Sequence, residues 1–269
     1  MATGPARLRI MTCNIRHNVK QDAETGDNWE ARRDFCAQLM LSHNPDVLCI
    51  QECANLHYLD LCARLPQYAS YGLSTINVLY SPSNVIFYRR SRFEFIFGGG
   101  FWLSETPHIE GTKSWDCANA RFTNYVQLRD YDSRKRFRVW NTHFDHIGRT
   151  AREKQAEMMV EASRVLPEDM PQFATADYNA DIKHPAIIAM KAGGWVDTYE
   201  DVHGPNDPGF TYHGFRGPSY IEFRPNTMGK IDFIFRRGPV TALESQVIKD
   251  SRNGHYPSDH YFVVADVSI

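Results

Sequence analysis

The sequence predicts one α/β domain, spanning residues 1–269 and built on a mixed β-sheet. Three observations support this prediction. A strand, a helix and a second strand follow one another near the N-terminus, and two strands joined by a short turn lie in the middle. Further strands continue to the end of the chain without a linker, a repeat or a low-complexity segment. The length and the 42% hydrophobic content are sufficient for one large buried core.

The first unit begins with a strand at Arg7–Asn14. A helix is predicted over residues 28–43, where apolar residues recur on one stripe, and the continuous apolar run at residues 46–51 predicts a second strand. Two strands joined by one helix are parallel, and their crossover is right-handed. Asn14 and Glu52 therefore emerge at the same rim of the sheet, which is where open α/β sheets bind their ligands.

The middle third alternates helical and strand patterns. The pattern Thr150-x-x-Glu153 predicts a capping box that opens a helix, and the run Gly98-Gly99-Gly100 separates a short strand from Phe101-Trp102-Leu103. The predicted elements are, in order, a helix at residues 56–65, strands at 84–88, 93–97, 122–131 and 136–144, and a helix from 150 to about 166.

The last third contains a strand at residues 172–176, a helix that begins at Pro185, and three more strands, at residues 230–235, at 243–248 and at the end of the chain. Asp177 and Asn179 follow the first of these strands, and Asp259 and His260 precede the last one. If the last strand runs antiparallel to the others, its start lies at the rim where the other strands end.

Composition excludes several classes of function. The net charge of −2 gives no general attraction to phosphate-rich polymers. No apolar run approaches the roughly 18 residues of a membrane span, and the N-terminal segment MATGPARLRI lacks an apolar leader. We expect a cytoplasmic monomer, although a signal peptide removed earlier would leave the same N-terminus. The six cysteines form no Cys-x-x-Cys pair and are expected to be reduced thiols.

Polar side chains that suit hydrolysis recur at the predicted strand ends. Each residue type, taken alone, also has a purely structural role. An asparagine can terminate a strand, a glutamate at a sheet edge can be solvated, and a histidine in the interior can be hydrogen-bonded. An Asp-His pair can cap a buried strand. Their joint occurrence at one predicted rim favours a site. The residues are Asn14, Glu52, His143, Asp177, Asn179, Asp232, Asp259 and His260.

The residue types indicate a hard cation and proton transfer. Oxygen ligands favour Mg²⁺ or Mn²⁺ over zinc. Asp232 lies in an apolar strand, and a buried carboxylate without a partner is costly, so we expect His260 to pair with it. Two histidines with nearby carboxylates suit proton transfer near neutral pH. The predicted oxygen ligands are Glu52, Asp177, Asn179 and Asp259.

Six motifs carry a family resemblance. They are Thr12-Cys13-Asn14, Gln51-Glu52, Asn141-Thr142-His143, Asp177-Tyr178-Asn179, Ile231-Asp232-Phe233-Ile234-Phe235 and Ser258-Asp259-His260. In this order they resemble the endonuclease/exonuclease/phosphatase superfamily with the deoxyribonuclease I-like fold, in a less characterised branch. The resemblance implies a four-layer α/β sandwich, with two mixed sheets face to face and helices outside, and Mg²⁺-dependent hydrolysis of a phosphate ester. Ala176 stands where the family usually has glycine.

The resemblance also implies roles for single residues. We expect Arg121 to contact a substrate phosphate, with a structural salt bridge as the alternative. Trp115 and His213 lie in segments that recur in the less characterised branch and are expected to contact the substrate, although loop aromatics more often pack against the body of a protein. The resemblance implies that Glu52 binds the metal, assisted by Asn14 and Asp259. It implies that His260, oriented by Asp232, is the general base, and that Asp177 and Asn179 position water and a phosphoryl oxygen. His143 is expected to donate a hydrogen bond to the phosphate or to the leaving group.

The sequence does not select one substrate. A small phosphodiester, a phosphomonoester and a short single strand of nucleic acid all remain open, because one fold serves many substrates. Two other classes of function also remain. One is a metal-dependent hydrolase of a non-phosphate ester or a glycosidic bond, and the other is a binding module that has lost catalysis.

Overall fold

The computed structural model describes residues 4–72 and 84–269, so Met1–Thr3 of the N-terminal segment lie outside the described residues. Most predicted elements are confirmed to within a few residues. The strands are β1 (Arg7–Asn14), β2 (Val47–Gln51), β3 (Tyr68–Tyr71), β4 (Val85–Arg89), β5 (Phe93–Trp102), β6 (Phe122–Asp130), β7 (Arg136–His143), β8 (Gln172–Asp177), β9 (Val196–Asp197), β10 (Asp232–Arg237), β11 (Thr241–Ile248) and β12 (Phe262–Ser268). The helices are α1 (Asp22–Thr25), α2 (Trp29–Ser42), α3 (Asn55–Arg64), α4 (Arg149–Arg164), α5 (Pro185–Ala192), α6 (Thr198–His203) and α7 (Tyr220–Phe223), and a 3₁₀ turn covers Gly217–Ser219.

The strands within the described ranges form two mixed sheets of six strands each. The first sheet has the order β11-β12-β1-β2-β4-β3, and the second has the order β5-β6-β7-β8-β10-β9. In the first sheet, β1 is parallel to β2, as the sequence predicts, and it is antiparallel to β12. In the second sheet, β8 is parallel to β7 and antiparallel to β10.

The two sheets pack face to face and carry helices on their outer faces. One apolar cluster joins the inner faces, where Ile10 and Val47 of the first sheet meet Val139 and Phe173 of the second. A second cluster packs α2 and α3 on the first sheet, and a third packs α4 and α5 on the second. The four-layer α/β sandwich is thereby confirmed. The single-domain organisation of residues 1–269 stays a prediction.

Two findings concern the cysteines and membrane spans. The thiols of Cys13, Cys36, Cys49, Cys62 and Cys117 form no disulfides. Over the described parts of the chain, we find no helix with both the length and the apolar character of a membrane span.

The second sheet contains a strand that the sequence predicted only in part. Strand β5 continues through the glycine run, where it pairs with β6 and two aromatic rings lie directly against it. A Cβ atom at Gly98 would lie 2.6 Å from the ring of Tyr71, and one at Gly99 would lie 2.5 Å from the hydroxyl of Tyr125. The glycines therefore allow the rings to cover the strand and do not end it. Strand β3, which contributes Tyr71, was not predicted.

The capping box predicted at Thr150 is wrong. Helix α4 starts after Gly148, and Asp116 from a distant loop accepts hydrogen bonds from the N–H groups of Thr150 (3.2 Å) and Ala151 (2.7 Å). The side chain of Glu153 instead accepts a hydrogen bond from Arg149. A carboxylate from elsewhere in the chain thus meets the free N–H groups of the helix.

Candidate active site

Strand register brings three of the predicted site residues side by side. His143 lies opposite Asp177 across β7 and β8, and Asp177 lies opposite Asp232 across β8 and β10. In the first sheet, Asn14 at the end of β1 pairs with Gln51 at the end of β2, so Glu52 follows at the same rim. The two rims face one another, because the amide of Asn14 donates to Asp177 over 3.0 Å.

His260 lies between two buried carboxylates. Its Nδ1 is 2.9 Å from Oδ2 of Asp232, and its Nε2 is 3.7 Å from Oδ2 of Asp177. The expected pair of Asp232 and His260 therefore forms. One ligand-type atom from each of these three residues lies within 4.8 Å of the others. Because the imidazole is already hydrogen-bonded to Asp232, this arrangement suits proton transfer.

Asp177 and Asn179 connect this group to His143. The backbone N–H of Asn179 donates to Oδ1 of Asp177 over 2.8 Å, which holds Asn179 in a left-handed conformation with φ of 48°. The side-chain amide of Asn179 lies 3.0 Å from Nε2 of His143 and donates to the carbonyl of Phe144. The same Nε2 is 3.4 Å from Asp177. These contacts aim His143 at the centre of the site.

The pKa values of these groups are strongly perturbed. Burial and the negative charge of Asp232 raise the pKa of Asp177 to about 7. Burial opposes the charge on His260, but the carboxylates of Asp232 and Asp177 overcome it and raise the pKa of His260 to about 10. Burial and the guanidinium of Arg121 hold the pKa of His143 well below its usual range. At neutral pH, His260 is a cation and His143 is a neutral imidazole.

Glu52 occupies the opposite side of the site in a left-handed conformation (φ of 61°). Its Oε1 accepts a hydrogen bond from Asn14 (3.2 Å), and its Oε2 accepts from the backbone N–H of His17 (2.8 Å) and contacts the ring of His17. Burial opposes the charge on Glu52, but the hydrogen bond from His17 keeps its pKa well below the usual range. Sequence analysis missed His17, whose only signal is its place three residues after Asn14.

Asp259 completes a set of oxygen donors with Glu52. Both carboxylates line the cleft. Oδ2 of Asp259 is 3.4 Å from the guanidinium of Arg16, and burial raises the pKa of Asp259, to which the charge of Glu52 adds. Two carboxylates that line one cleft offer the oxygen donors that a hard divalent cation prefers. The side-chain oxygen of Asn14 accepts a hydrogen bond from the N–H of Arg16 and its amide donates to Glu52, so Asn14 lies beside the carboxylate that it is expected to assist.

The site opens into a cleft of about 1100 Å³. Arg121 is buried in its wall, with Nη2 3.3 Å from His146 and Nε 3.9 Å from the carboxylate of Asp145. Both expectations for Arg121 are therefore compatible with its position. Further lining residues that sequence analysis did not select include Arg16, His17, Lys113, His146, Arg216, Phe223 and Arg224.

Two residues expected to contact substrate are not brought to the cleft. Trp115 is half-buried in its loop and does not belong to the described cleft lining. His213 is fully buried behind Asp259, whose carbonyl accepts its N–H, and its ring lies 4.1 Å from that of Tyr261. Burial lowers the pKa of His213 to about 3. His213 supports the Asp259 turn from behind, because its polar atoms face the interior.

Two six-stranded mixed sheets enclosed by helices, with a polar cleft at their strand ends, define a deoxyribonuclease I-like α/β sandwich. The family model described as "Endonuclease/Exonuclease/phosphatase family" matches residues 11–260, and the chain belongs to this family. The family description names nucleases and phosphatases, all of which cleave phosphate-ester bonds.

Individual relatives agree with this family. The structure of an endonuclease/exonuclease/phosphatase family protein from Bacteroides thetaiotaomicron is 27% identical, with a TM-score of 0.88 and 99% of each chain covered. The mannosyl-6-phosphatase from the same organism is 28% identical, with a TM-score of 0.84 and coverage of 97% of this chain and 99% of the other. Nocturnin of Drosophila melanogaster is 23% identical over 97% of this chain, which spans only 47% of that relative.

Proposed function

We propose that this protein is a divalent-metal-dependent hydrolase of phosphate esters whose preferred substrates are small phosphomonoesters. The observation that carries the proposal is the convergence of Glu52, Asp177, His143 and His260 on one cleft beside the guanidinium of Arg121. Carboxylates for a cation, a proton-transfer pair and a buried guanidinium are the groups that phosphoryl transfer requires.

The choice of a small phosphomonoester has separate support. The mannosyl-6-phosphatase is 28% identical and matches nearly the whole chain, so a sugar phosphate is the first substrate to test. The net charge of −2 gives no long-range attraction to a nucleic-acid duplex. A cleft of about 1100 Å³ is large enough for a phosphorylated sugar or nucleoside.

In this proposal Glu52 and Asp259 hold the metal, and Asn14 orients Glu52. A divalent cation bound there supplies positive charge to the phosphoryl oxygens and to the leaving group as negative charge develops on them. Arg121 donates to a non-bridging oxygen from the cleft wall.

The proton acceptor in this proposal is the pair of Asp177 and His260. Burial and the charge of Asp232 raise the pKa of Asp177 to about 7, whereas the neighbouring carboxylates, against the effect of burial, raise the pKa of His260 to about 10. The oxygen of water forms a bond to phosphorus, its proton passes to Asp177, and the ester bond breaks; the leaving oxygen takes a proton from solvent, and Asp177 returns its proton to solvent. The sequence predicted His260 itself as the base. We assign the first proton to Asp177 because two flanking carboxylates keep the imidazole charged.

Metal depletion and restoration test the proposal. The protein is stripped with EDTA and supplied with Mg²⁺ or Mn²⁺, and phosphate release is measured from mannose 6-phosphate, p-nitrophenyl phosphate and bis-p-nitrophenyl phosphate. We expect metal-restored turnover that favours the monoesters and is lost in Glu52→Ala and His260→Ala. Glu110→Ala and His108→Ala, which change exposed residues outside the cleft lining, are the matched controls.

Each result has a distinct meaning. Preference for the diester would overturn the monoester assignment but leave the phosphoesterase in place. Metal binding, followed by calorimetry, without turnover of any phosphate ester would favour another ester or a glycosidic bond as substrate. Turnover unaffected by Glu52→Ala would contradict the site.

A further inference from the structure

One wall of the cleft is built by residues that belong to none of the six motifs. It contains Tyr212, Arg216, and Tyr220 and Phe223 of α7. A row of aromatic rings runs along it from the reaction centre. The ring of His260 lies 5.1 Å from that of Tyr212, which lies 5.5 Å from Tyr220, and Tyr220 lies 6.4 Å from Phe223. The row therefore begins at the catalytic imidazole and ends at Phe223, an exposed ring on the cleft wall.

Two arginines lie over the last ring of this row. The guanidinium carbon of Arg216 is 4.1 Å from the centre of the Phe223 ring, and that of Arg224 is 5.7 Å from it. Both side chains line the cleft and are exposed. A guanidinium resting on a ring is partly ordered by the contact and keeps its N–H groups available.

The charge of these arginines is not neutralised by a neighbouring acid. In residues 4–72 and 84–269, no carboxylate lies within ion-pair distance of Arg216 or Arg224. The two cleft arginines nearer the reaction centre differ, because Arg16 faces Asp259 at 3.4 Å and Arg121 faces Asp145 at 3.9 Å. The outer wall therefore carries two positive charges that only a ligand or solvent balances.

We infer that Arg216, Arg224 and Phe223 form a second phosphate-binding subsite, and that the preferred substrate is a small phosphomonoester whose leaving group carries another phosphate. This inference rests on the proposed phosphatase function. The fork of N–H groups on a guanidinium matches the oxygens of a phosphate, and two such forks hold a dianion. The reaction centre binds the phosphate that is removed, and the ring row lies beside the spacer between the two phosphates.

The experiment uses substrates that differ only in the second phosphate. The wild-type protein is given the bisphosphates of propanediol, hexanediol and decanediol, and the monophosphates of the same alcohols, and phosphate release yields kcat/KM for each. A bisphosphate has two equivalent phosphates, so the statistical factor alone makes its kcat/KM twice that of the monophosphate. We expect at least one spacer length to show a preference of about tenfold or more, as a charge-assisted hydrogen bond provides.

Variants of the two arginines locate the effect. In Arg216→Ala/Arg224→Ala the ratio of kcat/KM for bisphosphate to that for monophosphate should fall to about two. The double variant Arg216→Lys/Arg224→Lys keeps both positive charges but lacks the paired N–H groups of a guanidinium. Its ratio should lie between that of the wild type and that of the double alanine variant. Arg136→Ala should keep the wild-type ratio, because Arg136 is an exposed arginine at the start of β7, the end of that strand opposite His143.

The outcomes separate this inference from the function on which it rests. A ratio near two in the wild type at every spacer length, with good turnover of the monophosphates, overturns the second subsite and leaves the phosphatase intact. A preference that survives in the double alanine variant places the subsite elsewhere and also overturns the assignment. A gain for a terminally phosphorylated dinucleotide but for none of the bisphosphates would identify a nucleic-acid strand instead. No turnover of any monophosphate overturns the phosphatase itself.

Discussion

Replacing Asp232 by asparagine tests the electrostatics of the reaction centre. Asp232 is 1% exposed, and its Oδ2 lies 2.9 Å from Nδ1 of His260. Asparagine has nearly the same shape but lacks the charge. The N–H of residue 232 still donates to the hydroxyl of Thr211, so the end of β10 is held as before. The change therefore removes one negative charge from between two strands without removing volume.

The structure indicates the size of the effect. The flanking carboxylates raise the pKa of His260 from 6.5 to about 10. A hydrogen bond to a charged group contributes about 1.5–3 kcal/mol, which corresponds to a change of about one to two pH units in a titration midpoint. We expect Asp232→Asn to lower the pKa of His260 by about that amount. The pKa of Asp177 should also fall, because the charge of Asp232 contributes to its value of about 7.

Titration of the metal-free protein followed by nuclear magnetic resonance measures both effects. His260→Gln identifies the imidazole signal, and Asp250→Asn, an exposed aspartate, is the matched control. Turnover of the metal-restored variant should fall by about 10²–10⁴-fold, the usual contribution of proton transfer. An imidazole midpoint in Asp232→Asn equal to that of the wild type would refute the charge argument and the role of Asp232 with it.

Two further predictions concern the framework. Gly148→Ala should lower the free energy of unfolding by about 1–3 kcal/mol, measured with urea, because the added Cβ atom would lie 2.5 Å from the carbonyl oxygen of Asp116. Lys230→Met should lower it by about 3–5 kcal/mol, because Lys230 is buried 2.6 Å from Asp197 and its loss leaves a buried carboxylate unpaired.

Matched variants check these two explanations. Gly4→Ala places a Cβ atom where nothing lies within 4 Å and should not change stability. Adding Asp197→Asn to Lys230→Met should recover part of the loss, since asparagine carries no charge. Additive losses in the double variant would mean that the Lys230 and Asp197 contact contributes little.

The N-terminal unit was predictable because its signals are local. An apolar strand, an amphipathic helix and another apolar strand identify themselves within a few residues, and handedness then brings Asn14 and Glu52 to one rim. The expected parallel pairing of β1 with β2 is present. The identities of the polar residues at strand ends were likewise sufficient to predict an oxygen-rich site.

Other features depend on residues far away in the chain. His17 contacts a glutamate 35 residues later, and Asp116 caps a helix whose first N–H groups lie 34 and 35 residues later. The glycine run of β5 pairs with β6, and its lack of side chains lets the rings of Tyr71 and Tyr125 lie against it. Local sequence patterns do not identify contact partners that are distant in the chain. For this reason a capping box was predicted where none exists, and β5 was predicted too short.

By itself, the sequence determined which chemical groups are available and which strand ends carry them, because burial and periodicity act on neighbouring residues. Tertiary structure alone decided their charge states and partners. His143, Asp177 and Asp232 are adjacent because β7, β8 and β10 are neighbours in register, and burial together with the charge of Asp232 raises the pKa of Asp177 to about 7. The two arginines stacked on Phe223 are likewise set by side-chain packing. Electrostatic interactions depend on distance in space and on burial, which are properties of the folded chain.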